Sequence, residues 1–149
     1  MRKRGKMARW VLGVAGLILL AAPAYAEENY TVSGVVTFPE GEVVFVSLYT
    51  PERFKDFGNN PLPPEPYTQI IELSPEQKRA GRAEFLFKGI PRGTYGVIAF
   101  REIKKNLKKD RSRYFKDPVS AYKMISFSGK WSDIQLKVNK DIQGIEIRF

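Results

Sequence analysis

The chain has 149 residues, a formal net charge of +9, no cysteine and no histidine. Without histidine it lacks the commonest general base and the commonest transition-metal ligand, which excludes Ser-His-Asp and Cys-His catalysis and argues against zinc, copper and haem sites. Without cysteine it has no disulfides and no lipid-modified cysteine to hold it at a membrane.

Five positive charges (Arg2, Lys3, Arg4, Lys6, Arg9) precede an apolar run from Val11 to Ala22, and Ala24-Tyr25-Ala26 then reads A-x-A before Glu27. This is the layout of a secretory signal peptide over 1–26, cut after Ala26. The alternative is an uncleaved anchor, but the run's twelve residues fall short of the roughly 20 a spanning helix needs. The expected mature chain is 27–149, a single domain that is exported to the periplasm or the cell exterior and has no further transmembrane span. Losing the five leader charges takes the net charge from +9 to +4, so the basic whole chain is not a nucleic-acid signature.

Alternation dominates residues 27–149. In "YTVSGVVTF" (30–38), Tyr30, Val32, Val36 and Phe38 share one face with Gly34, which predicts a half-buried strand. "EVVFVSLY" (42–49) is apolar on both faces and predicts a central strand, with "PEG" (39–41) as a hairpin turn between the two. "TPERFKDFGNNPLPPEP" (50–66) reads as a long loop, because four prolines between 61 and 66 forbid a ladder there. It is either a stiff connection or a polyproline ligand. "YTQIIEL" (67–73) resumes strand character. "SPEQKRAG" (74–81) predicts one short helix: Ser74 caps it, Pro75 opens it, Gln77 completes a capping box and Gly81 ends it.

"AEFLF" (83–87) and "TYGVIAF" (94–100) are further strands. Between them Pro91 presets its own φ, Gly93 supplies a positive φ, and Tyr95 folds back on the preceding backbone as a tyrosine corner. "SDIQLKV" (132–138) and "QGIEIRF" (143–149) alternate and predict a closing hairpin through "NKD" (139–141). The expectation is an all-β, seven- or eight-stranded antiparallel Greek-key sandwich with one short helix.

"FLFKGIPRGTYGVIAF" (85–100) is similar to the F-x-x-(L/I)-P-x-G-x-Y run of transthyretin-like and carboxypeptidase-regulatory-like sandwiches. With "VSGVVTFPEGEVVFVSLYTPERF" (32–54), the chain resembles an exported bacterial family known as domain of unknown function 2141. The resemblance implies an Ig-like or transthyretin-like fold and an acidic D-x-N-x-N-G-x-x-D loop after the Tyr95 strand. Here that stretch is "REIKKNLKKDRSRYFKD" (101–117), where Asn106 and Asp110 match, lysines intervene and the glycine is missing. A hard cation needs clustered oxygens, and Lys104, Lys105, Lys108 and Lys109 repel it, so no metal or cofactor is expected.

Residues 101–116 carry a net charge of +6, leaving the rest of the mature chain at −2. Lys104, Lys105, Lys108, Lys109, Arg111 and Arg113 form the candidate anion-binding set, with Tyr114 and Phe115 beside them. Lipid headgroups, an acidic envelope polymer or an acidic envelope protein suit such a loop. A solvated charged face is the plainer reading.

"SAYK" (120–123) matches the S-x-x-K nucleophile motif, but its companion motifs are absent. "NYT" (29–31) matches a glycosylation sequon. Phe149 ends the chain as small outer-membrane barrels end, although barrel strands are longer than several of these. The expected function is a non-catalytic binding or accessory module of the envelope. The alternative is an interaction module that docks by an unpaired sheet edge, with 143–149 as the candidate strand.

Overall fold

The structure, a computed structural model, describes residues 27–57, 62–103, 118–124 and 129–149. The expected signal peptide (1–26) and the candidate set from Lys104 to Arg113 lie outside the described residues.

Among the described residues the chain runs β1 (Asn29–Thr37), β2 (Val43–Tyr49), α1 (Pro51–Lys55), β3 (Thr68–Glu72), α2 (Pro75–Ala80), β4 (Arg82–Pro91), β5 (Gly93–Glu102), β6 (Val119–Ala121), α3 (Trp131–Ile134), β7 (Gln135–Val138) and β8 (Ile142–Arg148). It is an all-β sandwich. One sheet has the order β4-β1-β8, the other β3-β2-β5-β6, with β7 also on β5. Both sheets are open, so the barrel alternative does not hold. No described helix is long and apolar enough to cross a membrane.

The inner faces meet as expected from alternation. Val32, Val36 and Phe38 from β1 and its end, with Phe85 and Phe87 of the neighbouring β4, pack in one core with Val44, Val46 and Leu48 of β2 and Val97 and Ala99 of β5 from the other sheet. The short helix also forms as expected. Ser74 Oγ accepts the Gln77 N–H, Gln77 Oε1 accepts the Ser74 N–H, and Gly81 closes the helix with φ +61°.

Two expected hairpins are absent. β1 pairs antiparallel with β4 on one side and parallel with β8 on the other. β2 is likewise occupied on both sides, by β3 and β5. Neither strand has an edge left for the other, so "PEG" crosses between the layers. "NKD" does the same, since β7 lies on β5 and β8 on β1. The parallel β1–β8 pair also makes the smaller sheet mixed rather than wholly antiparallel.

The stretch 50–66 is not all loop. Thr50 Oγ1 accepts the Arg53 N–H and Pro51 opens α1. This helix brings Phe54, together with Phe57 and Leu62 beyond it, onto the outer face of the larger sheet. Trp131 and Ile134 of α3 join them over Val43, Phe45, Tyr49, Ile98 and Phe100. That cover is why β2 and β5 are apolar on both faces: each side of the larger sheet has its own core. Residues 132–134, expected as the start of a strand, belong to a helical turn instead. The turn moves Ile134 to the outer core while Leu136 and Val138 stay in the inner one.

Candidate functional site

Tyr95 sits where β4 crosses to β5, and its hydroxyl donates to the Pro91 carbonyl across 2.9 Å. The tyrosine corner is therefore present, and Tyr95 is buried against Tyr67, ring centroids 6.3 Å apart. Burial pushes the Tyr95 phenol above its ordinary value, with the neighbouring Tyr67 adding to the shift. Gly93 is not among the positive-φ glycines, which corrects the reason expected for it. A Cβ there would lie 3.2 Å from the Tyr95 ring, so Gly93 makes room for the ring that folds over it.

The root of the basic segment behaves differently from its sequence charge. Arg101 lies on β5, is 8% exposed, and donates from Nη1 to the Glu40 carbonyl at 2.7 Å, with its guanidinium carbon 5.3 Å from the Phe149 ring centroid. Its charge thus faces the end of the sandwich rather than solvent. Glu102 beside it is 1% exposed.

The S-x-x-K residues are held by backbone. Ser120 Oγ donates to the Arg148 carbonyl at 2.6 Å, and Lys123 Nζ donates to the Gln135 carbonyl at 2.9 Å. A nucleophile needs its hydrogen bond to a base, and here it goes to a carbonyl. Among the described residues no cluster of three or more acidic side chains could hold a metal ion.

The remaining feature with chemical character is one open side of the sandwich, where the edge strands β3 and β4 lie opposite each other. An open groove of about 440 Å³ runs between them, lined by Thr68, Gln69, Ile70, Leu86, Phe87 and Lys88, with Glu65 and Pro66 at one end. Ile70 is 58% and Leu86 48% exposed, the two largest exposures among the described large apolar residues. On β4 the inward set is Ala83, Phe85 and Phe87, and the outward set is Arg82, Glu84, Leu86 and Lys88. Leu86 is thus an apolar residue on an otherwise charged face. Its N–H points away from β1 and donates to Gln69 Oε1 at 3.0 Å. By the two-residue alternation of an antiparallel strand, the main-chain groups of Glu84 and Lys88 point the same way.

The expected docking strand 143–149 corresponds to β8, which is also an edge. It carries the Glu146–Arg148 ion pair on its outward face, and its Arg148 carbonyl is taken by Ser120. A covered edge resists strand addition, and among the described residues β8 has no exposed large apolar side chain, so the better candidate is β4. The signal that could have found it is Leu86 itself, the apolar residue out of phase with "RAEFLFK".

Comparison of the chain with protein-family models, with curated proteins and with solved structures finds no match.

Proposed function

We propose that this chain is an exported, non-catalytic accessory module of the cell envelope that holds an extended protein segment along the open β3/β4 side. The observation that carries this reading is Leu86, exposed on an edge strand across a groove from exposed Ile70. A strand laid against β4 gains main-chain hydrogen bonds and covers both apolar side chains, which is the physics of strand addition. The signal-like segment 1–26 and the resemblance to the exported family known as domain of unknown function 2141 belong to the same reading. A photo-crosslinking residue placed at position 70 or 86 in the producing cell is expected to form protein adducts that one placed at position 146 on β8 does not. Equal labelling from all three positions, or none from any, would sink the reading.

A second reading rests on the charge asymmetry. Lys104, Lys105, Lys108, Lys109, Arg111 and Arg113 fall between the end of β5 and the start of β6, in a chain that is otherwise acidic once the leader is removed. In this reading the segment contacts phosphate or carboxylate groups of the envelope. Binding to anionic vesicles at low salt, lost when the four lysines are replaced by glutamine, supports it. Absence of vesicle binding by the unaltered protein ends it.

A further inference from the structure

We infer that the β4 edge pairs with the β4 edge of a second copy of this chain, centred on Leu86. The inference rests on the reading of this side as a docking edge and names its occupant. The usable edge is short. Gly81 ends α2 just before Arg82, and Gly89 (φ 69°) lies where the β1–β4 register shifts, just after Lys88. Between them the outward positions run Arg82, Glu84, Leu86, Lys88.

An antiparallel partner must place its own outward-facing residues opposite these. Opposite Lys88 it needs an acidic residue, opposite Leu86 an apolar one, and opposite Glu84 a basic one. Read from its N-terminus, such a partner is acidic-x-apolar-x-basic, which is the pattern of residues 84–88 themselves. The edge is its own complement. With the two-fold axis at Leu86, each Glu84 faces Lys88 of the other copy and the two leucines face each other.

Neighbouring registers fail. Shifting the axis to Phe85 sets Arg82 against Lys88, and shifting it to Glu84 sets two glutamates together. The charges are available for the contact. Among the described residues Lys88 makes no ion pair, and Glu84 has only a 3.9 Å approach from Arg82, with the Glu84 side chain 82% exposed. In the single chain Gln69 accepts the Leu86 N–H and so competes with the partner strand for the central hydrogen bond.

The test is sedimentation of the purified protein over a wide concentration range. The weight-average mass is expected to rise from monomer toward dimer. Glu84→Lys or Lys88→Glu alone sets like charges opposite each other at two symmetric places and weakens association about tenfold or more. The two reversals together restore it. Gln69→Ala removes the rival acceptor and tightens it. Positions 84 and 88 are exposed, so melting temperatures near the parent's accompany these shifts, and Leu86→Lys supplies an independent disruption. A monomer at every concentration overturns the inference, as does a double reversal no tighter than the single ones. The photo-crosslinker at position 86 separates the two failures. An adduct with a different protein keeps the docking edge and removes the second copy, whereas no adduct removes both.

Discussion

The hydroxyl of Tyr95 donates to the carbonyl of Pro91, four residues back, and so ties the start of β5 to the end of β4 as the chain passes from one sheet to the other. The bond belongs to the crossover alone, because the Tyr95 ring itself is already buried by the inner core. Tyr95→Phe keeps the ring and loses the bond. It is expected to cost about 1 kcal/mol of unfolding free energy in urea titration. Burial raises the Tyr95 pKa in the folded chain, so the folded state favours the neutral phenol. That contribution is present below the unfolded value of about 10 and lost as pH rises through the folded one. The parent should therefore lose more stability than Tyr95→Phe as pH rises past about 10, measured as the difference of their melting temperatures.

Gly34 lies directly against β8. A Cβ at this position would stand 2.1 Å from the Ile145 carbonyl oxygen and 2.7 Å from its Cβ. Both obstacles belong to one residue of a paired strand, so β8 itself would have to move. Gly34→Ala is expected to cost about 3 kcal/mol or more. Faster hydrogen exchange at Ile145 and Ile147 should mark the loosened pair.

Ser74 and Gln77 satisfy two main-chain donors at the start of α2 reciprocally, at 3.2 and 2.9 Å. Ser74→Ala leaves the Gln77 N–H without its acceptor and is expected to cost about 1 kcal/mol in denaturant titration. Ser74→Gly should cost less, because the open backbone lets water take the place of the hydroxyl.

Ile134 is fully buried beneath the outer cover of the larger sheet, in contact with the cluster of Tyr49, Ile98 and Phe100. Ile134→Ala is expected to cost about 2–5 kcal/mol, the usual range for a large apolar side chain removed from a core. Its distinguishing signature is local. Tryptophan fluorescence should shift as Trp131 loses its support, while the inner core around Val36 and Phe85 keeps its exchange protection.

Much of the candidate edge was open to inspection in "RAEFLFK". The alternation puts Ala83, Phe85 and Phe87 on one face and makes Leu86 the exception on the other. What could not be read was that β4 would have a free side. Strand 143–149 carries the same alternation and is also an edge, yet Ser120 reaches its Arg148 carbonyl from a distant part of the chain. Alternation assigns a residue to a face; it carries no information about which strand lies alongside.

Local chemistry was enough for the elements whose determinants are neighbours in the chain. The positions of β1, β4 and β8 follow from a period of two, α2 from Ser74, Pro75, Gln77 and Gly81, and the corner from Pro91 and Tyr95. Tertiary structure alone decided that β1 takes β4 and β8 instead of β2. It also decided that Phe54 and Phe57 leave their apparent loop to cover β2 and β5, and that Arg101 turns its charge inward. The reason is that these outcomes are competitions between distant segments for the same edges and the same apolar surface. Their result depends on which surfaces the rest of the chain has already covered.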